Sequence, residues 1–138
     1  MTLLQISPET TVDSENLVKV AFRPSPSAPI GQRADLLISS GGQLVPAVSG
    51  EVNSLPALQQ LRELIGDGTG ATRWVRVRER GSSGDNEDSY VNLSRIGGVD
   101  FAEGPDGEVA RLTSSDGAEI GEVHLPAALQ VVRDLAGS

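Results

Sequence analysis

The chain has 138 residues, of which 11 are basic and 19 acidic, and its formal charge is −8. The hydrophobic fraction of 38% is enough for a packed core, and the length fits one domain or two very small ones. The absence of cysteine excludes disulfides, thiolate metal sites and cysteine nucleophiles. No apolar run is long enough to cross a membrane and the first residues do not resemble a secretory signal, so we expect a cytoplasmic protein without a membrane partner.

Segments of the first half recur in the second half in the same order. Residues 10–22 align without a gap with residues 89–101, and weaker echoes follow through both hairpins to the two C-terminal glycines. The matched pairs in the first block are Val12/Val91, Leu17/Ile96, Val20/Val99 and Phe22/Phe101, with Asp13 facing Asn92. We therefore predict two tandem copies of one unit, residues 1–68 and 71–138.

Each copy is predicted to contain two strands, a β-hairpin and a helix. The predicted strands of the first copy are residues 3–6, 17–23, 35–39 and 44–48, and those of the second are 74–78, 95–103, 108–114 and 118–123. Gly41-Gly42 and Asp116-Gly117 are favoured hairpin dipeptides. The helices are predicted to start at Pro56, capped by Ser54, and at Pro126, and to end at Gly66 and Gly137.

A unit of fewer than about 70 residues rarely buries a sufficient core alone. We therefore predict that the two copies pack together around a pseudo-two-fold axis, each helix covering a sheet. The predicted fold class is α+β, with mainly antiparallel strands.

The run from Tyr90 to Ile96, YVNLSRI, follows a short strand and precedes a hairpin with a glycine turn and a helix. This order resembles the second half of LytTR-type DNA-binding domains, and also small bacterial regulatory proteins built on a VNLxxI strand and hairpin. The resemblance implies an alternative function as a DNA-binding regulatory domain. It would use the basic strand from Arg73 to Arg80, in which Arg76, Arg78 and Arg80 alternate along one face.

The charge of the chain opposes that alternative. Binding to duplex DNA depends mainly on neutralisation of phosphates by lysine and arginine. The loop after the arginine strand, residues 81–88, is acidic, and so is the chain as a whole. We therefore expect no nucleic-acid partner, and we expect the arginines to pair with carboxylates on a neighbouring strand.

Few residues could carry catalysis. His124 is the only histidine, and it is interpreted as a junction residue between strand and helix, or as a base or ligand in a cleft between the copies. Residues 85–88 lack the ligand spacing of a calcium loop, and residues 66–70 lack the lysine of a phosphate loop. We therefore predict no enzyme, no cofactor and no metal site.

Trp74 and Tyr90 are the two remaining candidates, either as core residues or as aromatic anchors of an interface. The leading hypothesis is a non-enzymatic interaction, structural or regulatory module, bacterial or from a phage. Its partner would be another protein or a second copy, met through sheet edges and acidic loops. A small-molecule sensor with a cleft near His124 is a weaker alternative.

Overall fold

The structure is a computed structural model that describes residues 3–7, 9–26, 31–48, 52–66, 73–77, 88–104, 107–124 and 126–136. The fold is α+β with antiparallel strands, as predicted. The first half contains β1 (Leu3–Ser7), β2 (Thr10–Asp13), β3 (Lys19–Pro24), β4 (Gln32–Ser40), β5 (Gln43–Pro46) and α1 (Leu55–Ile65). The second half contains β6 (Trp74–Val77), β7 (Asp88–Asn92), β8 (Ile96–Gly104), β9 (Gly107–Ser114), β10 (Glu119–Val123) and α2 (Pro126–Ala136).

The two halves present the same order of elements: two strands, a 3-10 turn, three strands and a helix. The prediction of four strands per half was wrong, because β2 and β7 were not predicted as separate strands. Both are short and rich in polar residues, so neither shows a clear alternation of apolar and polar residues. The common order is what a tandem duplication would produce, while the duplication and the two-fold axis remain predictions.

Strands of both halves form one five-stranded sheet, in the order β5-β4-β3-β7-β6. The two halves meet where β3 pairs antiparallel with β7, which sets Val20 opposite Tyr90. The remaining strands form a three-stranded sheet, β10-β9-β8, and a ribbon of β1 and β2. Main-chain pairing, and not only side-chain packing, therefore joins the halves.

Two hydrophobic clusters lie on opposite faces of β6 and β7. Trp74 and Tyr90 belong to the first cluster, which contains the buried side of α1. Val75, Val77 and Val91 belong to the second cluster, which contains the buried side of α2 and strands β9 and β10. Because side chains alternate across a strand, these two strands supply both cores at once.

Both ends of α1 follow the prediction and α2 begins at Pro126 as predicted, whereas its predicted end at Gly137 lies outside the described residues. Ser54 caps α1, and its hydroxyl accepts a hydrogen bond from the Ala57 amide at 3.4 Å. Gly66 ends the helix with φ of 72° and donates its N–H to the Arg62 carbonyl. Within the described ranges, no helix is long and apolar enough to cross a membrane.

Each 3-10 turn is capped by the side chain that precedes it. Asp13 Oδ1 accepts from the Glu15 amide and Asn92 Oδ1 accepts from the Ser94 amide, both at 3.0 Å. The VNLxxI run is therefore the end of one strand, a turn and the start of the next, and not the continuous strand that the sequence suggested. The buried Asn92 also donates its amide Nδ2 to the Leu17 carbonyl at 3.1 Å, across the two halves.

We expect Asn92→Ala to lower the free energy of unfolding by about 1–3 kcal/mol, because it removes a cap and leaves a buried carbonyl unsatisfied. The matched control is Asp13→Ala, which removes only the cap of the other turn, at a cost of about 0.5–1 kcal/mol. Urea unfolding of both variants measures the difference. Equal losses would contradict the bridging role of Asn92.

The tips of the two predicted hairpins touch each other. Asp116 in the β9–β10 turn accepts the Ser114 hydroxyl on one carboxylate oxygen and the Gly42 amide, in the β4–β5 turn, on the other at 3.1 Å. These bonds, the Ser114 hydroxyl first and the Gly42 N–H next, hold the pKa of the Asp116 carboxyl below its ordinary value of 3.8.

This contact predicts a pH dependence of stability. A group whose pKa is lower in the folded chain contributes stability above its unfolded pKa and loses that contribution as pH falls through the folded pKa. The unfolding free energy of the wild type should therefore exceed that of Asp116→Asn by more at pH 7 than at about pH 3. A difference that does not change between these two pH values would contradict the prediction.

Candidate functional site: the open edge of strand β8

The two aromatic candidates of the second half lie in the core. Trp74 is 3% exposed and Tyr90 is 7% exposed. Trp74 lies on the opposite face of β6 from Val75 and Val77. Its side chain belongs to the first cluster, and the side chains of the two valines belong to the second. Both aromatic side chains therefore belong to the core, although Trp74 also borders the cleft described below.

Two arginines of the basic strand, Arg73 and Arg76, belong to the part of the chain that the structure describes, and Arg73 directly precedes β6. Arg76 lies in β6, half-buried and opposite Tyr90. Arg78 and Arg80 lie outside the described residues, as do residues 81–87 of the acidic loop. The predicted alternation of Arg76, Arg78 and Arg80 along one face therefore stays a prediction.

His124 follows β10 directly and is half-buried, as a junction residue would be. A cleft between the two halves exists, but it lies at the two 3-10 turns. Its volume is about 380 Å³, and its lining residues include Arg73, Arg95 and Trp74 but not His124. This cleft is therefore not the one that the sensor alternative places near His124, which stays a prediction.

Arg95, which lines this cleft and lies in the 3-10 turn of the second half, links the two halves. The Arg95 guanidinium donates from Nε to the Glu15 carbonyl and from Nη2 to the Asn16 side chain at 3.3 Å. Both acceptors belong to the turn of the first half. Arg95 of the cleft is thus already engaged in a contact that joins the two halves.

Strands β3 and β8 correspond in sequence, and each pairs with the strand that follows it in the chain. On the opposite side, β3 has a neighbouring strand, whereas β8 has none among the described residues. Val20 and Phe22 of β3 lie opposite Leu36 and Ala34 of β4. In β8 the same two positions, Val99 and Phe101, lie opposite Leu112 and Ala110 of β9. The outer edge of β3 is covered by β7, whereas among the described residues β8 pairs with β9 alone.

The exposure of the two phenylalanines reflects this difference. Phe22 is 6% exposed, and the ring of Tyr90 from β7 packs edge-on against it at 6.0 Å between centroids. Phe101 is 38% exposed. On the helix side both rings have an arginine, with the guanidinium carbon of Arg62 at 3.9 Å from the centroid of Phe22 and that of Arg133 at 5.5 Å from Phe101. The surroundings of the two rings therefore differ on the side that a neighbouring strand would cover.

The strand that would correspond to β7 in the other half is β2. Both are the second strand of their half and both lead into a capped 3-10 turn. In the described structure β2 pairs only with β1, so it does not cover β8. Among the described strands, the edge of β8 is thus a place where the common order of elements does not lead to a common pairing.

A bulge limits how far this edge extends. The β8–β9 register shifts between Ile96 and Gly98. A Cβ atom on Gly97 would lie 2.5 Å from the Ser115 Cα, so only glycine allows β8 to approach the β9–β10 turn this closely. The regular part of the edge therefore runs from Gly98 to Glu103.

Two carboxylates line this edge. Asp100 and Glu103 are exposed, and neither forms an ion pair with any residue that the structure describes. Arg111 lies opposite Asp100 in the ladder, but its guanidinium contacts the buried Glu122 at 3.5 Å. The edge therefore combines an exposed aromatic ring with negative charge.

Phe101 aligns with Phe22 in the sequence, but it was not predicted to be a functional residue. Nothing in the sequence distinguishes the two phenylalanines, because the difference arises from which strand lies beside each of them. Within the described residues, no cluster of three or more potential ligands could hold a metal ion.

Comparisons with known proteins found no matching family model, no matching curated protein and no matching solved structure.

Proposed function

We propose that the protein is a non-enzymatic protein-interaction module that binds an extended segment of a partner along the open edge of β8. The observation that carries the proposal is the contrast between β3 and β8: the same pattern of residues is covered by a strand in one sheet, whereas in the other no described strand lies beside it. An extended segment that adds to a sheet edge gains main-chain hydrogen bonds, and its side chains find pockets on alternate positions.

The features of the edge agree with this use. Edge strands of proteins that avoid association are usually short, interrupted by proline or a bulge, or charged, most often with lysine. Strand β8 has nine residues and contains no proline and no lysine, its bulge lies at one end, and it exposes the ring of Phe101 near its centre between the carboxylates of Asp100 and Glu103. Its regular stretch is long enough for a strand of about five to six residues to pair with it.

The test is selection of binders from a random peptide library displayed on phage, with the wild-type protein as bait. Selected peptides should bind Phe101→Lys about tenfold or more weakly than wild type, because lysine replaces the aromatic anchor of the edge. The matched control is Leu55→Lys, since Leu55 is an exposed apolar residue on a helix, where no strand can pair. This control should bind like the wild type.

Amide hydrogen exchange of the wild type tests the same proposal without a variant. The amides of β8 that point away from β9, which are every second one of residues 98–103, should exchange quickly in the free protein and slowly in the complex. The proposal is wrong if the library yields no peptide whose affinity depends on Phe101, or if these amides are already protected in the free monomer. The latter result would mean that the chain closes its own edge, for example with β2.

A further inference from the structure

We infer that the segment bound at β8 is a basic strand, antiparallel to β8, that places an aromatic residue opposite Val99. This inference rests on the proposed function and deepens it by naming the chemistry of the partner. It is argued from the way in which β7 covers the corresponding strand β3.

The orientation and register follow from the pairing of β3 with β7. That pair is antiparallel, with Val20 opposite Tyr90 and Phe22 opposite Asp88. Val99 and Phe101 occupy the positions of Val20 and Phe22 relative to the next strand. A segment that copied β7 would therefore run antiparallel to β8, with its own residue in the place of Tyr90 facing Val99.

The aromatic residue follows from the environment of Phe101. In the first half, Tyr90 lies diagonally across from Phe22 and packs against its ring with the planes at 75°. Phe101 lacks such a partner, although an arginine of its helix reaches its ring as in the first half. An aromatic side chain opposite Val99 would cover the exposed ring, and such aromatic pairs stabilise an interface beyond the area they bury.

The basic residues follow from the charge of the edge. In an antiparallel pair, residues directly opposite each other have adjacent side chains, so opposite charges there attract and like charges repel. Residues facing Asp100 and Glu103 would meet carboxylates that form no ion pair in the described structure. The formal charge of −8 on the whole chain adds long-range attraction for a basic segment.

A second copy of this chain fits the edge less well. Antiparallel pairing of β8 with itself would bring Asp100 and Glu103 of the two copies near each other, between molecules that are both strongly acidic. Such like-charge contacts across paired strands are destabilising. The charge of the edge therefore favours a different, basic chain.

The test uses the capped peptide Arg-Thr-Val-Lys-Tyr-Thr-Val, designed so that Arg faces Glu103, Lys faces Asp100 and Tyr faces Val99. Titration into isotope-labelled protein should shift the amide resonances of residues 98–103 and yield a dissociation constant. Replacing Arg and Lys of the peptide by Glu should weaken binding about tenfold at low salt. Replacing Tyr by Ala should weaken it about fivefold or more.

Two further measurements test the details. The protein variant Asp100→Asn/Glu103→Gln should abolish the preference for the basic peptide, because it removes the two carboxylates while leaving Phe101 in place. A spin label on the N-terminus of the peptide should broaden amides near Glu103 more than those near Gly98, as antiparallel pairing requires.

Each outcome separates this inference from the proposed function. If the acidic and basic peptides bind equally, or if the preference survives in the double variant, the inference is wrong. If the library yields edge-dependent peptides without basic or aromatic residues, the inference fails and the proposed function stands. A dimer in sedimentation that Phe101→Lys abolishes would identify a second copy as the occupant and would also overturn the inference. If no edge-dependent binder exists, both fail.

Discussion

Leu61→Ala is expected to lower the free energy of unfolding by about 2–5 kcal/mol, because it opens a cavity in a core that cannot close around it. Leu61 is fully buried on α1, in the first cluster beneath the five-stranded sheet. Urea unfolding followed by circular dichroism measures the loss. Leu112→Ala should have a similar effect in the second cluster, where its side chain is also fully buried.

The matched control for Leu61 is Leu55, on the same helix. Its side chain is 51% exposed, so Leu55→Ala should change the unfolding free energy by less than about 0.5 kcal/mol. Both core variants should unfold in a single transition, because β6 and β7 contribute side chains to both clusters. Two separate transitions in either variant would contradict the sharing of these strands.

Separate expression of residues 1–70 and 71–138 is expected to give two chains that do not fold cooperatively. The first chain would lack β7, the neighbour of β3, together with the rings of Tyr90 and Trp74 in its cluster. The second chain would lack the three strands that complete its larger sheet. Each isolated half would therefore leave apolar surface and a strand edge exposed to water.

An equimolar mixture of the two half-chains should recover one cooperative transition, because the missing strand pairing can then form between chains. The control is the full chain cleaved at the same boundary after folding, which should keep its near-ultraviolet circular dichroism. A dispersed NMR spectrum and a cooperative unfolding transition for either half-chain alone would contradict the prediction that each half needs strands of the other to fold.

Local signals in the sequence predicted most elements and their approximate limits. The hairpin tip at Gly41-Gly42 is confirmed, since both residues have positive φ, which favours glycine. The start of α1 is confirmed by the Ser54 cap and the proline that follows. These features depend on a few neighbouring residues, so the sequence contains the information directly.

Long-range pairing could not be predicted in the same way. An alignment of the two hairpins by sequence matches the Leu112 segment with the segment that starts at Leu37, whereas the ladders place Leu112 opposite Val99 as Leu36 lies opposite Val20. A shift of one residue moves a side chain to the other face of a sheet, and Leu36 is indeed the buried member of the pair. The pairing of β3 with β7 across the two halves cannot be predicted from neighbouring residues in the sequence, and neither can the resulting exposure of Phe101.

The pairing of β3 with β7 also has a consequence for synthesis on the ribosome. The two strands are separated by more than sixty residues of chain, and β3 emerges first. Until the later strand leaves the exit tunnel, the nascent chain carries an uncovered edge and an incompletely covered Phe22, at a synthesis rate of about 5–20 residues per second. For several seconds the growing polypeptide thus exposes a strand edge and apolar surface through which nascent chains can associate.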